Sequence, residues 1–162
     1  MKHISHTLIM GIALIFSSCN ETDIISDEEK IKIEKEIKER LDGYPAAFNR
    51  HDIDWFHNFW SNEKGFVFAG DGAVTTNYDS SVTKAYLDGF TQVKTFLHFD
   101  WSNGHAYILS RDAVSYATNF DWGLVMASGD TVKSRGAWLY VFQKKSGIWK
   151  VVHSAGTHSN YK

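Results

Sequence analysis

The chain of 162 residues has a formal net charge of −2, six Trp, seven Tyr and eleven Phe, but one Pro and one Cys. That length predicts one domain; the 43% hydrophobic content excludes a disordered chain; the single Cys excludes a disulfide scaffold or a thiolate zinc cluster; and near-neutral charge without a basic run argues against a nucleic-acid partner. The aromatic excess calls for an explanation, because large rigid rings either fill a core or line a concave pocket.

Lys2 followed by the apolar run Leu8 to Phe16 has the make-up of a signal peptide. The run is too short to span a bilayer as a helix. Small residues Ser17 and Ser18 precede Cys19, so residues 1–18 resemble a bacterial lipoprotein signal with Cys19 as the lipidated first mature residue. Phe16 departs from the aliphatic residue such signals favour. An ordinary secretory signal with an incidental Cys is the other reading. Several acyl chains anchor a protein stably where one does not. The expected organisation is a signal over 1–18, a lipidated Cys and tether over 19–26, and one domain over 27–162. The expected location is the bacterial cell envelope, attached to a membrane through the N-terminal lipid and facing the periplasm or the surface, otherwise secreted.

Ser26 with Glu29 forms a capping box ahead of an apolar-periodic segment. Ile33, Ile37, Leu41, Tyr44, Phe48, His51, Trp55 and Phe59 make one helical stripe, which Pro45 should kink. Asp52 is placed to cap a second short helix ending near Trp60. A short strand over Gly65–Ala69 ends in the turn Gly70-Asp71-Gly72, and Ala73–Thr76 reads as a second strand. Ser80–Val93 reads as a third helix with Val82, Tyr86 and Phe90 on one side. From Lys94 onward only strands are predicted: Thr95–Trp101, His105–Leu109, Ala113–Trp122, Val132–Gln143 and Trp149–His158. Ser102-Asn103-Gly104 is a turn or a bend in one long strand. Helices followed by a strand meander argue for an α+β fold with helices on one sheet face.

Tyr44-Pro-Ala-Ala-Phe-Asn-Arg-His-Asp-Ile-Asp-Trp-Phe-His-Asn-Phe-Trp, then Gly65-Phe-Val-Phe, resembles the opening of the nuclear transport factor 2-like superfamily. Ser134-Arg-Gly-Ala-Trp-Leu-Tyr-Val-Phe and Gly147-Ile-Trp-Lys-Val-Val-His, with Thr157-His-Ser, are similar to its closing strands. The similarity spans about residues 29–160 and is carried by element order. It is nearest the polyketide-cyclase-like and ketosteroid-isomerase-like domains of unassigned function. The resemblance implies a cystatin-like α+β roll: a cone-shaped curved sheet, mixed or antiparallel, wrapped by about three helices around a pocket. It also implies a homodimer formed through the outer sheet face.

Within such a cone, period 2 puts Trp149, Val151 and His153 on one strand face. If that face is concave, His153 is a base, acid or donor; otherwise it is a half-buried sheet histidine. Asn119 and Asp121 share a face with Ala113, Ser115 and Ala117, opposite Val114, Tyr116, Thr118, Phe120 and Trp122. Which face is interior stays open. An enclosed Asp121 carboxylate would carry protons. His98 and Asp100 read as a dyad or as the polar side of a strand, and His158 as a rim residue. Trp138 and Tyr140 alternate with Gly136 and Phe142 and would form a ligand platform. The expected pocket residues are Trp60, Phe68, Tyr86, Asn119, Asp121, Trp138, Tyr140 and His153, with Asp121 and His153 the catalytic candidates. No HxH or HExxH spacing suggests a metal, and no motif suggests a cofactor.

Three functions remain in play. The first is a lipid-anchored protein binding a small, largely apolar or aromatic molecule. The second is an isomerase, cyclase or dehydratase using a pocket Asp or His for proton transfer. The third is a homodimeric interaction module without a ligand.

Overall fold

The computed structural model describes residues 24–161. The signal segment, Cys19 and most of the tether lie outside the described residues.

The capping box at Ser26 is present. The Ser26 hydroxyl accepts from the Glu29 N–H at 3.2 Å, and the Glu29 carboxylate accepts from the Ser26 N–H at 3.0 Å. It opens α1 (Asp27–Asp42), whose buried stripe is Ile33, Ile37 and Leu41. The stripe does not run on as one kinked helix. Gly43 ends α1, and Pro45 sits in the first turn of α2 (Tyr44–Asn49). There the missing N–H has no intrahelical bond to lose. His51 then adopts a φ of 56°. Asp52 caps α3 (Ile53–Phe59), its Oδ1 accepting from the Trp55 N–H at 3.0 Å. This break rotates the helical phase. Phe56 and Phe59 become fully buried, Trp55 is half-buried, and His51 is exposed and stacked on Phe90.

Strands β1 (Val67–Gly70) and β2 (Ala73–Thr75) are joined by Asp71-Gly72. Their φ values of 49° and 87° are the two left-handed residues that a type I′ hairpin demands. A wide π-helical turn, Asp79–Lys84, runs directly into α4 (Ala85–Gln92) and buries Val82, Tyr86 and Phe90. The meander follows as β3 (Val93–Ser110), β4 (Ala113–Met126), β5 (Thr131–Lys145) and β6 (Ile148–Tyr161). Ser102-Asn103-Gly104 is a bend inside β3. The sheet order is β2-β1-β6-β5-β4-β3, antiparallel except where β1 runs parallel to β6. The result is a curved mixed sheet with helices against its concave face, the α+β cone that the sequence predicts.

Two local devices shape that cone. First, the register between β3 and β4 slips four times, always with the extra residue on β3, so 18 residues of β3 run beside 14 of β4. Such bulges bend and twist a strand. Second, the concave face crowds side chains from neighbouring strands, and glycines relieve the crowding. The Trp138 indole lies over Gly156, where a Cβ would stand 2.1 Å from it, and reaches Gly70, where a Cβ would stand 3.2 Å from it. Phe120 lies over Gly136, where a Cβ would be 2.9 Å from its ring.

Candidate functional site

Between the concave sheet face and the helices lies a cavity of about 280 Å³. Tyr44 and Phe48 come to its wall from α2, and Ala85 and Tyr86 from α4. The sheet contributes Phe68, Phe99, Trp101, Phe120, Trp138, Tyr140 and His158, and Trp60 closes the end of α3. Rings meet edge-on or tilted over most of this wall, as with Phe99–Trp101 at 4.6 Å and Phe68–Trp138 at 5.7 Å. Phe56 stacks on Tyr86 from behind, 3.7 Å between centroids.

Polar groups in the wall are few. The Tyr86 hydroxyl accepts from Trp60 Nε1 at 3.1 Å and pairs with the Tyr44 hydroxyl at 2.9 Å. Burial pushes the Tyr44 phenol up to about 12, and pushes Tyr86 and Tyr140 well above the usual tyrosine range. All three stay neutral hydroxyls at physiological pH. Trp138 Nε1 is buried and has no hydrogen-bond partner among the described residues.

His158 reaches the cavity with a carboxylate behind it. The parallel register of β1 on β6 pairs Gly70 with Gly156 and so carries the Asp71 turn alongside His158. Asp71 Oδ2 lies 2.8 Å from His158 Nδ1, and Asp71 Oδ1 accepts from the His158 N–H at 2.9 Å. Burial raises the Asp71 carboxyl, but the two His158 hydrogen bonds outweigh it, and the net shift is downward. An ionised Asp71 only accepts, so in this pair Nδ1 is the donor. The imidazole lies 5.1 Å from both the Phe120 and the Trp138 rings.

Of the residues singled out by sequence, Trp60, Phe68, Tyr86, Trp138 and Tyr140 line this cavity. Asn119, Asp121 and His153 do not. On β4 the bulky face, with Val114, Tyr116, Thr118 and Phe120 buried, is the interior. Asn119 and Asp121 therefore lie on the convex face. There Asp121 accepts from the Tyr161 hydroxyl and from His98 Nε2 at 3.0 Å, which holds its carboxyl below the usual range. With its carboxylate outside the cavity, Asp121 is not placed to carry protons to a guest there. His153 fails for a different reason. The β5–β6 register shifts between Val141↔His153 and Phe142↔Val151, so Val152 is an extra residue and the side-chain parity reverses. His153 turns outward and bonds the Gly65 carbonyl at 2.7 Å. The same reversal brings Ser154, Gly156 and His158 inward, so His158, read from sequence as a rim residue, belongs to the cavity wall. A comparable extra residue at Leu97 turns Phe96 and Phe99 to the same side.

The SnoaL-like domain family matches residues 37–157. A search of curated proteins finds no match. Among solved structures, the chain is similar to a nuclear transport factor 2-like superfamily protein from Salmonella enterica serovar Typhimurium, at 13% identity and a TM-score of 0.68, covering 82% of this chain and 94% of that one. It is also similar to a putative scytalone dehydratase from Novosphingobium aromaticivorans, at 11% identity and a TM-score of 0.70, covering 85% and 89%. A third similar structure is a hexachlorocyclohexane dehydrochlorinase from Novosphingobium barchaimii, at 11% identity and a TM-score of 0.66, covering 83% and 91%. At these identities the likeness concerns the fold.

Proposed function

The chain belongs to the SnoaL-like domain family, and on that premise we propose that it binds a small, largely apolar or aromatic molecule in its cavity. The observation that carries this reading is a cavity of about 280 Å³ walled almost wholly by aromatic rings. Concave, apolar sites with a few converging polar groups are where small ligands bind. A lipid anchor at Cys19 forms part of the same proposal, because it would hold the cavity at a membrane into which apolar molecules partition. Native mass spectrometry of the chain after exposure to envelope extracts tests it. One small molecule per chain is expected. Ala85→Trp, which fills the cavity from α4, is expected to abolish its retention. Equal retention by both forms, or none by the wild type, counts against the proposal.

A second reading is supported by the Asp71–His158 pair. A histidine with Nδ1 held by a carboxylate and Nε2 free is the arrangement of a general base, Asp71 acting as the positioning residue. The reading predicts deuterium exchange from D2O into a carbon of the bound molecule, lost in His158→Gln while the ligand is still retained. Retention without exchange in the wild type leaves the binding function alone.

A further inference from the structure

We propose that the chain carries a second ligand site, outside the central cavity, that takes a primary ammonium ion on a small apolar body. The site is the pocket of about 330 Å³ between α1 and the bend of β3. It stands independently of the reading given above for the central cavity.

Tyr116 marks the site. The residue is 6% exposed, and its hydroxyl lies in the pocket wall beside Gly104, where a Cβ would overlap the oxygen. That hydroxyl has no hydrogen-bond partner among the described residues, and it is not one of the polar atoms sealed from solvent, so its open side faces the pocket. Burial raises the Tyr116 phenol, and the Glu34 charge adds to the shift, so the group is a neutral hydroxyl. Its ring is fixed in the core, which makes the oxygen a preplaced hydrogen-bonding point. The bend that admits it arises where β3 sets Asn103 and Gly104 against Thr118 alone, with Asn103 at a φ of 50°. Bulges of this kind are common beside functional sites.

Charge selects the ligand. Glu34, Lys38 and Asp42 follow one another along α1 at the pocket edge. Lys38 Nζ lies 2.6 Å from Asp42 Oδ2, so these two satisfy each other. Glu34 is exposed and makes no ion pair among the described residues. One carboxylate is therefore left uncompensated, which attracts a cation and repels an anion. Trp101 and Leu41 supply the apolar part of the wall, and the Trp101 N–H donates to the Leu41 carbonyl at 3.2 Å, which holds the indole in place. An indole ring also attracts cations through its face. A primary ammonium has three donors and no acceptor. It can donate to Glu34 and to the Tyr116 oxygen while its apolar body lies on Trp101. An alcohol can meet the phenol but leaves the Glu34 charge unanswered, and a carboxylate meets a like charge.

NMR titration of the full ¹⁵N-labelled chain at neutral pH with benzylammonium, benzyl alcohol and phenylacetate tests the proposal. Benzylammonium is expected to shift the Asn103, Gly104 and Thr118 amides at a concentration at least tenfold below that needed for either other probe, the ratio that one hydrogen bond to a charged group supports. Glu34→Gln, at an exposed helix position, is expected to weaken benzylammonium about fivefold, as loss of an exposed ion pair does. Tyr116→Phe keeps the ring and is expected to weaken it about tenfold. Equal response to the three probes, or a stronger response to phenylacetate, overturns the ammonium assignment. Benzylammonium binding that Glu34→Gln leaves unchanged overturns it as well. Shifts confined to the Trp138 and Trp60 indoles would place the probe in the central cavity, which overturns this inference and leaves the reading of that cavity standing.

Discussion

Phe56→Ala is expected to destabilise the fold by about 3–5 kcal/mol, the range for removing a buried aromatic ring. Phe56 is fully buried and stands where the helices meet the cavity wall. Its ring packs edge-on against Tyr44 at 5.2 Å and Trp55 at 5.0 Å, and face-on against Tyr86 at 3.7 Å. Deleting it removes dispersion contacts that the surrounding rings cannot replace, since each is itself held by neighbours. The Tyr86 hydroxyl would also lose the backing that keeps it against Trp60 and Tyr44. Urea denaturation followed by circular dichroism should show a lower midpoint at unchanged slope. A loss under about 1 kcal/mol would mean that the helices close over the gap and that Phe56 does not hold the wall in place.

Gly156→Ala is the second. The added methyl would stand 2.1 Å from the Trp138 ring and 2.7 Å from the Ala137 carbonyl oxygen. The oxygen belongs to the backbone of the adjacent strand and cannot rotate away. Overpacking of this kind costs about 1–3 kcal/mol and sometimes more. Because the clash is with Trp138, binding in the cavity should fall along with stability. The double variant Gly156→Ala with Trp138→Ala should recover part of the stability that the two single changes lose together, the sign of direct coupling. Strict additivity would show that the indole does not lie on that glycine. No such effect is expected where an inward-facing strand position already carries a Cβ.

Where a strand keeps an unbroken period of two, its inward face could be read from the residues. Trp138, Tyr140 and Phe142 alternate on β5 and do face inward together, because no register shift interrupts that stretch of β5 against β4. His153 was unreadable in the same way because Val152 is an extra residue, and two adjacent valines carry no mark of which one is skipped. The pair Val151-Val152, an alternation that stalls, is the one signal that pointed to a shift. The Asp71-Gly72 turn was legible as a turn. Its contact with His158 was not, because 87 residues separate them and parallel pairing, which no local pattern encodes, sets their register. The inward face of β4 stayed open for a related reason. Small residues beside Asn119 and Asp121 fit a cavity wall as well as a convex surface, and only the folded sheet, which buries Val114, Tyr116, Thr118 and Phe120, decides between them. Periodicity runs the helices together as one stripe past His51 because it cannot see a left-handed residue that resets the phase.

The four extra residues of β3 also bear on a hazard unrelated to the cavity. β3 is the outermost strand of the sheet, and its free side is a long row of backbone groups with Leu97, Tyr107 and Leu109 exposed along it. A straight edge of that length invites a strand from another molecule to add on, the first step of aggregation. Each bulge interrupts the even spacing of donors and acceptors and turns the strand out of line. An incoming chain finds only short stretches in register before the match fails. The irregularity that curls the sheet thereby also keeps the chain from templating copies of itself.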